Sequence, residues 1–347
     1  MQPFHLPLKP MKRLITLLTL PALFFAACDK KADSTGGSSN ASSGSKKLTV
    51  ALLPKSKGNQ YFVTCEKGAR KAAAELGVEL LFDGPTNTDP AKQNEIVENW
   101  ITIPVDVIAA ACENKEGIST ALKKAQAAGI KVVTYDSDAT PDARSFFVNQ
   151  ATAEGIGNTL MDEAARLTGG EGEFAIITAT LTAANMNEWR KHIEARLADK
   201  YPKMKLVDTK PCDDQKDKAQ GEATNLLSAY PNLKCIMAIC SPAVPGAAEA
   251  VKQAGKAGVV KVLGLGLPSE NKAYVKDGVT QAVILWKVED LGYLTVKTAA
   301  ALADGSLKTG ATEFDAGKIG KVEVKGDNVL LGKPFIFNKE NIDGFDF

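Results

Sequence analysis

The chain predicts an α/β protein of two lobes, each built on a mainly parallel sheet covered by helices. Three observations lead there. Short apolar, β-branched runs alternate with amphipathic helical runs across residues 48–303. The alternation comes in two successive sets of βα units, and repeated βα units imply parallel strands with helices on both faces. Residues 48–347 are also more than one hydrophobic core normally holds.

The first set opens with strand 48–53 and helix 61–76, which is rich in Ala, Lys and Glu. Strand 78–82 follows, then helix 90–101, whose Ile96, Val97, Trp100 and Ile101 share a face. Strand 105–111 leads to helix 117–128, ended by Gly129. Strand 131–135 closes on Asp136-Ser137-Asp138, and 145–148 is a further short strand. The second set pairs helix 151–167 with strand 173–178, helix 187–200 with strand 206–209, and helix 217–230 with strand 235–239. Helix 243–257 precedes strand 261–265, and helix 270–276 precedes strand 281–286. Helix 288–303 and a β-rich tail complete the pattern.

Ahead of the domain, Met11-Lys12-Arg13 precedes an apolar run that ends in Ala26-Ala27-Cys28, and translation can start at Met1 or Met11. Residues 14–27 fall short of the roughly 20 apolar residues of a spanning helix. They fit the h-region of a signal peptide, so residues 1–28 are read as a signal. The segment Phe25-Ala26-Ala27-Cys28 resembles a bacterial lipobox, departing from it at Phe25, where leucine is usual. That resemblance implies lipid attachment at Cys28, with an ordinary secretory signal as the alternative. Asp29 resembles an inner-membrane retention signal of Gram-negative hosts. Residues 29–47 are rich in Ser, Gly, Lys and Asn with no hydrophobic period, and read as a flexible tether. An r.m.s. span of about 25 Å follows from that length.

Several function classes recede. Net charge is +1, and no long basic run marks a nucleic-acid footprint. The only histidines are His5 and His192, a poor inventory for metal binding or histidine-based catalysis. Beyond Cys28, Cys65, Cys112, Cys212, Cys235 and Cys240 form no CxxC, and the sequence leaves open whether any pair. No GxSxG, HExxH, GxGxxG or phosphate-loop pattern is present, Gly264-Leu265-Gly266 being a lone GxG. No catalytic residue, cofactor or metal is expected.

In parallel α/β sheets ligands bind outside the carboxyl ends of the strands. Two lobes place two such edges across a cleft. The first strand ends in a loop carrying Lys55, Asn59, Gln60, Tyr61 and Phe62: a cation, amides and rings, suited to hydroxyls and to the C–H face of a sugar. The same residues can equally be a solvated loop and helix-start packing. The third strand ends in Cys112-Glu113-Asn114 and the fourth in Asp136, whose carboxylate can accept two hydroxyl hydrogen bonds or, alternatively, cap a helix or pair with Lys55. In the second half, Asn187 is placed as a helix N-cap, leaving Asn185 as the ligand candidate. Trp189 repeats with Ile193 and Leu197 at helical spacing and is assigned to packing, and His192 to the surface or to packing. Ser241 and Pro268 end two further strands. Trp286 sits where the chain returns between lobes, with Lys287 beside it as a second cation.

These residues resemble the periplasmic sugar-binding proteins of ABC importers, of the type I, ribose-binding fold, over nearly all of 47–347. The rhamnose- and autoinducer-2-binding branch is the nearest. The resemblance is carried by Leu53-Pro54-Lys55, Asp83-Gly84-Pro85-Thr86, Tyr135-Asp136-Ser137-Asp138, Asn187-Glu188-Trp189, Gly264-Leu265-Gly266-Leu267-Pro268-Ser269-Glu270, Asp290-Leu291-Gly292-Tyr293 and residues 337–343. Autoinducer-2 binders use a lysine and an aspartate that match Lys55 and Asp136. Their Asp-Gln pair, however, reads Asn185-Met186 here, and their Pro-x-Ala reads Ile239-Cys240-Ser241. That disfavours autoinducer-2 as the ligand. Met186 offers an apolar wall suited to a 6-deoxy methyl group.

The resemblance implies a monomeric solute receptor that closes on one monosaccharide and delivers it to a permease and an ATPase. It implies a periplasmic or envelope location, with a lipid anchor on the outer face of the inner membrane. A sugar-sensing receptor and an exported sugar-acting enzyme are the alternatives. It further implies a first lobe of 48–148 plus 287–315 and a second of 149–286 plus 316–347, joined by three crossings near 148–150, 285–287 and 315–317.

Overall fold

The computed structural model describes residues 47–347; the signal, the Cys28 lipid site and the tether up to residue 46 lie outside the described residues. In chain order the elements are β1 (Thr49–Leu53), α1 (Gln60–Leu76), β2 (Glu79–Phe82), α2 (Pro90–Ile101), β3 (Val107–Ala110), α3 (Lys115–Ala127), β4 (Lys131–Tyr135) and β5 (Phe146–Asn149). After a crossing come α4 (Ala153–Thr168), β6 (Gly172–Thr178), α5 (Ala184–Lys200), β7 (Met204–Pro211), α6 (Lys216–Ala229), β8 (Leu233–Ala238), α7 (Ala243–Gln253), β9 (Lys261–Leu265), α8 (Pro268–Lys276) and β10 (Ala282–Leu285). The chain then returns through α9 (Val288–Asp304), β11 (Glu313–Asp315), β12 (Lys321–Lys325) and β13 (Asn328–Leu330), and ends with β14 (Phe335–Phe337).

Two sheets result. The first has the order β11-β12-β13-β5-β4-β3-β1-β2 and the second β14-β10-β9-β8-β6-β7. Strands β1 to β5 are mutually parallel, as are β6 to β10. The late strands supply the antiparallel pairs β11–β12, β12–β13 and β10–β14. The predicted fold class is therefore the observed one.

Alternation along β1 and β3 explains the layers of the first lobe. Ala51, Leu53, Ile108 and Ala110 face Val97, Trp100 and Leu122 of α2 and α3. Val50, Leu52, Val107 and Ala109 belong to the core on the other face, with Cys65, Ala69 and Leu291 of α1 and α9. With both faces covered, these strands are near-continuous apolar runs. Helices α1 and α9 approach closely enough to require glycine. A Cβ on Gly68 would lie 1.7 Å from the Glu289 carbonyl oxygen, and one on Gly292 would lie 1.8 Å from that of Cys65. That contact pins α9 to the first lobe after it leaves the second sheet.

The tail corrects the expected lobe division. Residues 316–330 do not join the second lobe: β12 pairs with β11, and β13 adds parallel to β5 in the first sheet. Only β14 reaches the second sheet, antiparallel to β10. The third crossing therefore lies at 331–334, between β13 and β14, and not at 315–317, which is the turn of a hairpin. The other two crossings fall close to expectation, at 150–152 and 286–287.

Candidate functional site

The carboxyl ends of β1, β3 and β4 face those of β6, β7 and β8 across a cleft. A cavity lies there. Of the residues expected in a site, Lys55, Asn59, Tyr61, Phe62, Glu113, Asp136, Asn185, Met186, Ser241 and Trp286 line it.

Local structure explains how the first-lobe wall is held. The buried Gln93 of α2 donates to the carbonyls of Pro54 and Ala111 at 2.9 and 2.8 Å, and its oxygen accepts from the Glu113 amide at 3.1 Å. One amide thus ties together the loops that present Lys55 and Glu113. Asp136 has φ 60°, a left-handed conformation that Asp can adopt at modest cost. Gln150 holds its carbonyl at 2.9 Å. Tyr61 donates its hydroxyl to Asp136 Oδ1 at 2.8 Å and accepts from Trp286 Nε1 at 2.9 Å. The three rings of Tyr61, Trp286 and Trp189 pack edge-on in sequence, with centroids 6.2 and 6.3 Å apart.

Polar groups meet across the cleft. Lys55 Nζ donates to Asn185 Oδ1 at 2.8 Å and lies 3.6 Å from Glu113 Oε2. Thr180 donates to Glu113 Oε1. Asn59 caps α1 through Oδ1, which accepts from the Tyr61 amide at 2.9 Å and from Ser241 Oγ at 3.1 Å. Its Nδ2 donates to Asp214 Oδ2 at 2.6 Å. A single cation, Lys55, thus faces three carboxylates: Glu113, Asp136 and Asp214. Burial raises the pKa of Asp136 to about 6, against the opposing pull of Lys55 and the Tyr61 hydrogen bond. Burial raises that of Asp214 as well, against the hydrogen bond from Asn59 and the charge of Lys55.

Four expectations are corrected. Pro268 is the first residue of α8 and does not line the cavity. Asn114 caps α3, accepting from the Gly117 amide at 2.8 Å, and faces the outer cleft. Asn187 is not an N-cap: α5 begins at Ala184 and is capped by Ala183. Lys287, read as a second cation, is exposed.

Asp214 is the main residue the sequence reading missed. It follows β7 in Cys212-Asp213-Asp214, and both aspartates have positive φ, 51° and 56°. Two acids at a strand end before a helix were the available signal. Trp189 was assigned to packing; it is buried in the core and also lines the cavity, with Ala179, Ile239, Cys240, Leu265 and Leu285. Among the described residues no group of three or more His, Cys, Asp or Glu is placed to hold a metal ion. No helix among them is long and apolar enough to cross a membrane.

Comparison with known proteins agrees with this architecture. The family described as the periplasmic binding protein domain matches residues 50–307. The D-ribose/D-allose-binding protein of Pseudomonas aeruginosa is 31% identical over 245 residues, covering 67% of this chain and 75% of that protein. The ribose import binding protein of Bacillus subtilis is 26% identical over 296 residues, covering 85% and 94%. Among solved structures, an ABC transporter solute-binding protein from Clostridium phytofermentas with bound L-rhamnose is similar at TM-score 0.83 and 30% identity, covering 86% of this chain and 98% of that one. LsrB from Clostridium saccharobutylicum, in complex with AI-2, is similar at TM-score 0.82 and 27% identity, covering 86% and 100%. With its two parallel sheets, three crossings and a cavity between strand ends, the chain belongs to the periplasmic binding protein family.

Proposed function

We propose that this protein is the extracytoplasmic receptor of an ABC importer, capturing one neutral monosaccharide between its lobes and performing no chemistry on it. The observation that carries this reading is the cavity wall. Lys55, Asn59, Glu113, Asp136, Asn185 and Asp214 offer donors and acceptors to hydroxyls, and Tyr61, Trp189 and Trp286 offer apolar ring surface to C–H groups. Hydrogen bonds to the ionised acceptors are stronger than neutral ones. Three carboxylates against one lysine also repel acidic sugars and sugar phosphates, since an anion entering a desolvated site of that charge gains no compensation.

Met186, Ile239 and Leu265 give the second-lobe wall an apolar patch. A 6-deoxyhexose would place its methyl there, which makes L-rhamnose the leading ligand, ahead of ribose and allose. The relatives that bind those sugars support the ligand class. Hinge motion at the crossings 150–152, 286–287 and 331–334 would open and close the cleft. Closure sets the relative pose of the lobes that permease subunits recognise. Lipid attachment at Cys28 would keep the receptor beside that permease.

Thermal unfolding against L-rhamnose, D-ribose, D-allose, D-galactose, D-xylose, autoinducer-2 and D-galacturonate tests the reading. A ligand held only by the folded state at 100 times its dissociation constant adds about 2.7 kcal/mol, or about 5 °C or more in midpoint. The expected result is a rise with one neutral sugar and none with galacturonate. A rise with galacturonate alone would refute the assigned ligand class.

A further inference from the structure

Cys212 and Cys240 are the pair of described cysteines in contact. Their sulfurs lie 3.5 Å apart, and both residues are buried. They come from different strand ends, Cys212 after β7 and Cys240 after β8. Cavity-wall residues follow each within two positions: Asp214, in a turn of two left-handed aspartates, and Ser241. The backbone of both residues is held in place. The Cys212 amide donates to the carbonyls of Thr178 and Ala179 at 2.9 and 3.1 Å, and the Cys240 carbonyl accepts from the Ala243 amide at 3.0 Å.

We propose that Cys212 and Cys240 form a disulfide when the chain folds in an oxidising compartment, clamping the Asp214 turn to the Ser241 segment of the cavity wall. The step balances through exchange with a disulfide-bearing oxidant. One cysteine thiolate attacks the oxidant's S–S bond and forms a mixed disulfide; the second attacks the mixed disulfide, and the oxidant's two sulfurs leave as thiols. Two S–H bonds of the chain and the oxidant's S–S bond are lost, one S–S bond forms in the chain, and the two electrons and two protons end on the oxidant's sulfurs. Exchange needs a thiolate. In the folded chain burial holds the Cys240 thiol well above its ordinary pKa, so the bond forms during folding, before the sulfurs are enclosed.

The inference rests on export only for its oxidant, and refolding with glutathione disulfide supplies one in vitro. The full chain is therefore unfolded, refolded with and without a glutathione redox buffer, alkylated in denaturant and mapped by mass spectrometry. The expected result is a cross-linked peptide pair containing Cys212 and Cys240, with Cys65, Cys112 and Cys235 alkylated. Hydrogen exchange at residues 213–215 should speed at least severalfold on reduction, and Cys212→Ala should abolish that response to reductant. Alkylation of both Cys212 and Cys240 after oxidative refolding would overturn the proposal. So would pairing of either with another cysteine, or an exchange rate at 213–215 indifferent to reductant in the cross-linked chain. A chain that cross-links in vitro but not when isolated from cells would count against export and leave the clamp standing.

Discussion

The two walls of the cavity are built differently. The first-lobe wall is charged: Lys55, Glu113 and Asp136, with Asn59 and Tyr61, all at the ends of β1, β3 and β4 or the start of α1. The second-lobe wall is mostly apolar: Ala179, Met186, Trp189, Ile239, Cys240 and Leu265, with Asn185, Asp214 and Ser241 as its polar members. The polar members of the second wall bond directly to the first, Asn185 to Lys55 and Asp214 to Asn59. The difference teaches a division of labour. On the proposed reading, the first lobe would supply most of the charged acceptors for ligand hydroxyls, with Asp214 the one from the second. The second would then complete the hydrogen-bond set and meet the apolar end of the ligand.

Variants on the two walls should therefore fail in different ways. Lys55→Met leaves Glu113 and Asp136 buried without their cation. Breaking a buried pair costs about 3–5 kcal/mol, so chemical denaturation should show a large loss of stability, partly recovered as pH falls through about 6, where Asp136 gains its proton. Asp136→Asn keeps the shape but removes the charged acceptor. Affinity by titration calorimetry should fall on the order of a hundredfold, as expected when ligand hydroxyls lose a charged partner. An effect under threefold would remove Asp136 from the ligand contacts.

The pH dependence sharpens the same point. With Asp136 near 6, its ionised fraction drops about tenfold between pH 7 and pH 5, and affinity should follow. Stability runs the other way. The folded pKa lies above the roughly 3.9 of an unfolded aspartate, so the folded chain binds more protons between those values. This group's contribution is full below about pH 4 and is lost as pH rises through 6. A pH titration of binding alongside denaturation separates the two signs.

On the second wall effects should be smaller and selective. Met186→Ala should weaken L-rhamnose about three- to fivefold through lost apolar contact, with ribose nearly unchanged. Equal losses for both sugars would mean that Met186 shapes the wall generally and not the ligand's methyl end.

Much of the site was legible because βα alternation places strand ends at a cleft, and Lys55, Glu113 and Asp136 sit at such ends. What escaped reading depended on long-range geometry. Asp136 and Asp138 look alike in sequence, yet Asp138 is engaged by the buried Arg144 at 2.7 and 3.0 Å while Asp136 turns into the cavity. Trp189 has helical core spacing and serves core and cavity together. Asp214 depends on a left-handed turn after β7. The tail strands β11 to β13 carry no local sign of which sheet they join, since that is decided by pairing with β5 across most of the chain.

The most direct test of the receptor account is to titrate the protein with L-rhamnose and D-ribose, isolate the complex, denature it and identify what is released by mass. The account predicts one equivalent of the added sugar, recovered unchanged. Release of a product of altered mass, or turnover beyond one equivalent, would contradict it.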